Sequence, residues 1–96
     1  ADGVALVVRA LDDPEPRVRQ AALKALGALG HWPAAPQVAG LVLDPAWDVR
    51  RQAALCLRAM GAPGGIYLRQ LRGSDDPVAS SVARYALDLT AVGATA

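Results

Sequence analysis

Phenylalanine is absent from this chain, and only two tryptophans and two tyrosines supply aromatic bulk, so a core must be assembled from small aliphatic side chains. Cysteine occurs once, at Cys56, which excludes an internal disulfide framework. Histidine also occurs once, at His31. One imidazole and one thiol on different segments supply neither the roughly four ligands of a structural zinc site nor a nucleophile with its base. No apolar run approaches the length of about 20 residues that crosses a bilayer, and no basic start leads into an apolar core as in a signal peptide. A soluble, cytoplasmic protein is expected. An excess of one charge is lacking as well: 10 Lys and Arg face 9 Asp and Glu, and the net +1 argues against strong nucleic-acid binding. Gly64 and Gly65 precede a short apolar segment without a GxGxxG or GKS/T pattern, and no Gly-x-Ser-x-Gly elbow occurs. Neither a metal, a cofactor nor a catalytic residue is expected.

What the sequence does contain is repetition. VRQAALKALGALG, from Val18 to Gly30, returns as VRRQAALCLRAMG, from Val49 to Gly61, at an offset of 49 − 18 = 31. A period of this size marks a stack of helical hairpins, none of which can bury its apolar face alone. A weaker third copy places Val78, Val82, Tyr85, Ala86 and Leu89 where the second has Val49, Ala53, Cys56, Leu57 and Met60, an offset of 78 − 49 = 29. The first copy has Val18, Ala22, Ala25, Leu26 and Leu29 there. Such spacing draws one apolar stripe along a helix. Most stripe positions are small, so Leu26, Leu29, Leu57, Met60 and Leu89 are the expected costly truncations.

A shorter apolar segment precedes each long one: Val4 to Leu11, Val38 to Leu43 and Ile66 to Leu71. The connections DDPEP, DPAWD and GSDDP carry Asp to cap free amides and Pro to open a helix. Gly30 and Gly61 stop the first two long helices, and the loops HWPAAP and APGG turn the chain onward. The expected fold is an all-α solenoid of three stacked antiparallel hairpins in a single domain, with repeats at 1–31, 32–61 and 62–92 and a tail at 93–96. The chain opens on Ala1, as a processed or excised domain would.

These residues resemble the HEAT-repeat proteins, in particular the short bacterial repeats named for phycobilisome lyases. The shared pattern is an aspartate in the turn and a Val-Arg pair opening the next helix: Asp13 with Val18 and Arg19, then Asp44 with Val49 and Arg50. The resemblance implies that Asp13, Arg19, Asp44 and Arg50 are structural, forming a ladder between adjacent repeats. In the third copy Gly73 and Ala79 take those places, as in a terminal unit with no neighbour beyond it. Scaffolds, enzyme accessory domains, pigment lyases and DNA glycosylases all occur in the family, so the resemblance bears on fold more than on function.

Turning about 100° per residue from the apolar stripe brings up Gln20, Lys24 and Gly27 on the first long helix. The second shows Arg51, Leu55 and Arg58 there, and the third Ser80, Arg84 and Leu87. The resemblance implies that the long helices line the concave surface, where Lys24, Arg51, Leu55, Arg58 and Arg84 become a candidate site for an acidic amphipathic partner, either another protein or a domain of the parent chain. The same residues also fit an ordinary solvated face. Nucleic-acid binding through this strip is a disfavoured alternative, and a fragment of a lyase or glycosylase is another. For the latter, Trp47, Asp48, Arg50 and Arg51 resemble the Trp, Asp and Arg set of HEAT-like glycosylases, although Trp47 also fits a packing role over the gap between hairpins. The acids Asp12, Asp13, Glu15, Asp44, Asp48, Asp75 and Asp76 cluster at the turns, where helix starts favour negative charge. The apolar VALVV at Val4 to Val8 leaves end-to-end self-association open.

Overall fold

The computed structural model describes residues 2–95, and side-chain surroundings from 3 to 89. Among the described residues there are six α-helices: α1 Asp2–Ala10, α2 Pro16–Leu29, α3 Ala35–Gly40, α4 Trp47–Ala59, α5 Ala62–Arg72 and α6 Pro77–Thr95. Single turns of 3-10 helix, Trp32–Ala34 and Leu41–Leu43, flank α3. Pro33 and Pro36 stand in the first turns of the Trp32–Ala34 segment and of α3, where no amide donor is needed. Short connections fold the chain into hairpins, with α2, α4 and α6 side by side and α3 beside α5 in the other layer. The chain is an all-α helical repeat solenoid.

Glycine sets two of the corners. Gly30 sits at φ +63° and ψ +31°, and its amide and that of His31 donate to the carbonyls of Gly27 and Leu26, a Schellman stop for α2. Gly61, at φ +73° and ψ −144°, ends α4 and accepts from the Gly65 amide to open α5. The APGG stretch expected as a loop is therefore the first turn of α5. Pro63 suits that turn, and Gly64 lets it lie directly on the Leu57 carbonyl, where a Cβ would overlap backbone atoms. At the other end α6 runs on through Thr95, into the expected tail, while Ala96 lies outside the described residues.

Burial follows position in the stack. The core joins Leu23, Leu26, Val38, Val42, Val49, Leu57 and Leu68 with a set of alanines, Cys56 and Met60. Equivalent stripe residues fare differently: Val49 of α4 and Met60 at its C-cap are 0% and 6% exposed, whereas Val18 and Leu29 of α2 are 38% and 62% exposed. The reason is that α2 covers that side of α4, while no described helix covers the same side of α2. Leu29 is thus not a core residue, and Leu23, which the stripe omitted, is fully buried. Gly27, expected on the far side, instead faces α4, where an added Cβ would lie 3.4 Å from the Cys56 Cα and 3.5 Å from the Ala59 Cβ. Leu87, expected on the solvated strip, packs partly buried against the core, and Tyr85, expected in the stripe, is exposed.

Candidate functional site

The three turns before the long helices share one design. Asp13 Oδ1 accepts from the Glu15 amide at 2.9 Å, Asp44 Oδ1 from the Ala46 amide at 2.9 Å, and Ser74 Oγ from the Asp76 amide at 3.1 Å. Side chains at these places thus brace the turn, two residues back from the amide they satisfy. The first positions of the helices, Pro16, Trp47 and Pro77, keep the same register, with offsets of 47 − 16 = 31 and 77 − 47 = 30. In the third repeat the counterparts of Asp44 and Arg50 are accordingly Ser74 and Ser80, correcting the sequence-based Gly73 and Ala79 by one position. Two of these acids cap their helices as expected: Glu15 Oε1 accepts from the Arg17 amide at 3.5 Å, and Asp76 Oδ1 accepts from the amides of Val78 and Ala79 at 2.8 and 3.2 Å.

Arg19 joins the first two repeats. Its Nε and Nη2 donate to the two Asp44 carboxylate oxygens at 2.8 and 2.9 Å, and its Nη1 donates to the carbonyls of Asp13 and Pro14 at 2.8 and 3.1 Å. Arg50 repeats half of this arrangement: Nη1 donates to the carbonyls of Asp44 and Pro45 at 2.8 and 3.2 Å, but its Nε is buried without a partner. The serine at position 74 carries no carboxylate to meet it. Ser80 Oγ donates to the Arg72 carbonyl at 2.8 Å instead.

Beside Arg50 the surface opens between α4 and α6. Arg51, Tyr85, Ser81 and Val82 border a cleft of about 280 Å³ with Trp47, and a second lobe of about 270 Å³ shares Trp47, Ser81 and Val82 while adding Arg50 and Val78. The Trp47 ring lies under the Arg50 guanidinium, 5.3 Å from Cζ to the centroid, and is 56% exposed. Tyr85 is 42% exposed. Trp47 therefore stands at the gap between hairpins without being buried there. Asp48 is exposed and is not among the residues lining either lobe, so the four-residue set resembling a glycosylase does not converge.

A family model of HEAT repeats matches residues 2–88. The chain belongs to the HEAT-repeat family. No curated protein matches it. HEAT repeats are commonly protein-interaction scaffolds, and the family is generally non-enzymatic.

On this HEAT stack the sequence-derived surface residues separate. Lys24, Arg51, Arg58 and Arg84 are exposed and Leu55 is half-buried. Arg51 borders the α4–α6 cleft, whereas Arg58 borders a different one, of about 240 Å³, with Gly61, Leu68, Arg69 and Leu87. Tyr85 was misassigned by periodicity alone, because the stripe of the third copy was read one position early. Its signal was available in the turn: aligning Ser74 with Asp44 moves Tyr85 off the buried stripe and brings Ala79 and Ala83 onto it beside Ala86, and all three alanines are buried.

Chemistry within the stack is muted. Burial pushes the Cys56 thiol up to about 11, leaving it protonated and unreactive at neutral pH. His31 is half-buried ahead of the Trp32–Ala34 turn. Among the described residues no three His, Cys, Asp or Glu side chains gather to hold a metal ion, and no helix is long and apolar enough to cross a membrane.

The Asp44 carboxyl is the titrating group of consequence. Burial alone would raise it, but hydrogen bonds from Arg19 and the Ala46 amide, with the charges of Arg19 and Arg50, hold it below the ordinary carboxylate range. The Arg19 guanidinium is correspondingly held above its usual value, chiefly by its hydrogen bond to Asp44. A carboxyl depressed in the folded state stabilises the fold above the unfolded-state value near 3.9 and ceases to as pH falls through its folded value. The urea midpoint is therefore expected to drop on acidification below about pH 4. Asp44→Asn is expected to be less stable at neutral pH and flatter across that window, and Ser74→Asp, which offers Arg50 a carboxylate, is expected to gain about 1 kcal/mol at pH 7. Parallel acid profiles for native chain and Asp44→Asn count against this role for Asp44.

Proposed function

We propose that this chain is a non-catalytic interaction module, a scaffold segment that binds another protein, or another domain of a longer parent, through the exposed face of its long helices α2, α4 and α6. Lys24, Arg51, Leu55, Arg58 and Arg84 are the contact residues of this reading, and Asp13, Arg19, Asp44 and Arg50 its structural inter-repeat ladder. The observation that carries it is the pair of large aromatic side chains, Trp47 and Tyr85, left open beside arginines on adjacent long helices. Exposed apolar area rimmed by polar groups marks interaction surfaces, and Trp, Tyr and Arg are the residues most often found at their energetic centres. A cytoplasmic setting belongs to this reading. So does the finer assignment to the phycobilisome-lyase type of repeat, supported by the six-residue spacing from Asp13 to Arg19 and from Asp44 to Arg50.

The test is charge reversal. Arg51→Glu combined with Arg84→Glu is expected to abolish retention of a native partner by the immobilised chain, confirmed with the purified partner, while the melting temperature stays put. Undiminished retention, or a fall in melting temperature, counts against the surface. Nucleic-acid binding is the second reading, favoured by the stacking capacity of Trp47 and Tyr85 beside arginines. It requires affinity for single strands that falls steeply between about 50 and 200 mM salt. End-to-end self-association is a further part of the proposal, supported by the open apolar hollow of about 300 Å³ that Leu6, Val7, Ala10 and Val18 border at the α1–α2 end of the stack.

A further inference from the structure

Three features coincide in the cleft between α4 and α6. Its walls are aromatic and open to solvent, with Trp47 on one helix, Tyr85 on the other, and the buried Val82 between them. Its charge is of one sign: Arg51 borders one lobe and Arg50 the other, and no acidic side chain lines either. Finally, Arg50 is incompletely bonded. Its Nη1 is anchored on two turn carbonyls in the same way as that of Arg19, so the two guanidiniums are held alike. Arg19 commits its Nε and Nη2 edge to a carboxylate, and the corresponding Arg50 Nε has no partner.

We infer that this cleft binds a short peptide segment of a partner protein in which a carboxylate side chain neighbours a large apolar one. The carboxylate pairs with the exposed Arg51, drawn also by the positive charge of the neighbouring Arg50, and the apolar side chain enters between Trp47 and Tyr85 above Val82. This rests on the interaction-module reading and adds to it the chemistry of the partner. The Arg19–Asp44 pair shows within this chain the fork that an arginine makes with a carboxylate. The two shallow lobes, of about 280 and 270 Å³, suit successive side chains of an extended segment laid across α4 and α6. A polyanion fits less well. Asp48 is exposed in the first turn of α4, and Asp75 and Asp76 are exposed just before Val78, so successive phosphates leaving the cleft would meet negative charge. A peptide presents its charge at a single point.

The experiment pans a phage-displayed library of random linear peptides against the full chain and maps the selected peptides by two-dimensional NMR. Selected sequences are expected to set Asp or Glu beside Leu, Met or an aromatic residue. They should shift the Trp47 indole and the Ser81 and Tyr85 amides while leaving the Trp32 indole unmoved. Arg51→Glu and Tyr85→Ala should each weaken binding about tenfold or more, and Lys24→Glu, outside the cleft, by less than about twofold, with unchanged circular dichroism in all three. Peptides without acidic residues, shifts on another face, or no selected peptide at all overturn the inference. If a native partner is still captured in those cases, the interaction-module reading survives. If no partner is captured either, that reading falls with it. Oligothymidylate moving the Trp47 and Tyr85 signals, with steep salt dependence, assigns the cleft to nucleic acid and overturns the inference as well.

Discussion

Gly64→Ala is expected to destabilise the fold by about 3 kcal/mol, at the upper end of what overpacking costs. Gly64 lies in the first turn of α5 with its Cα against the Leu57 carbonyl of α4, and a Cβ would overlap that oxygen and approach the carbonyl carbon and Cα. These are backbone atoms near the end of a helix, so no rotamer change relieves the overlap. One helix must move away from the other, opening the core around Leu57 and Leu68, both buried. Its neighbour is the control. An added Cβ at Gly65 meets only the far end of the Arg69 side chain, at 3.4 Å, so Gly65→Ala is expected to be neutral or to gain up to about 1 kcal/mol from helix propensity. Urea denaturation of the two variants decides the matter. Equal midpoints would mean that α5 does not rest on Leu57 as closely as described.

Leu23→Ala is expected to cost about 2–5 kcal/mol, the range for a large core side chain that leaves a cavity. Leu29→Ala is expected to stay within about 0.5 kcal/mol, as surface substitutions do. Both residues are leucines on α2, six positions apart, and composition cannot rank them. Leu23 is fully buried and Leu29 is 62% exposed. The stripe drawn from periodicity points the other way, including Leu29 and omitting Leu23. Thermal unfolding of both variants therefore tests the stack directly: at roughly 4–8 °C per kcal/mol for a domain of this size, the difference is well outside measurement error. A Leu29→Ala loss as large as that of Leu23→Ala would mean that the outer side of α2 is covered in solution, as by a second copy of the chain. The fall should then vary with protein concentration.

The stripe misjudged Leu29 for a physical reason. Periodicity identifies a helix face that can be buried, but the neighbour that buries it belongs to the previous repeat. Val49 and Met60 have such a neighbour in α2, and Val18 and Leu29, identical in spacing, have none among the described residues. Tyr85 illustrates the second kind of error. Hydrophobic matching placed it on the core side, whereas the hydrogen bond from the Asp76 amide to Ser74 fixes the register one position later and leaves the ring open to the cleft. Turn chemistry was the better ruler because it aligns backbone positions, and apolar patterns tolerate a slip between adjacent small residues.

The sequence by itself determined the repeat length, the all-helical class, the glycine stops at Gly30 and Gly61, and the turn aspartates. Each of these is encoded within a dozen residues, by periodicity, by a positive φ that favours glycine, or by a side chain that satisfies an amide two positions on. Only the tertiary structure decided which half of each apolar stripe is covered, that Arg19 reaches the Asp44 carboxylate while the Arg50 Nε finds none, and that Trp47 and Tyr85 face one cleft. Those outcomes depend on how neighbouring helices approach across the stack, a distance fixed by packing between residues some thirty positions apart and therefore invisible to any local pattern.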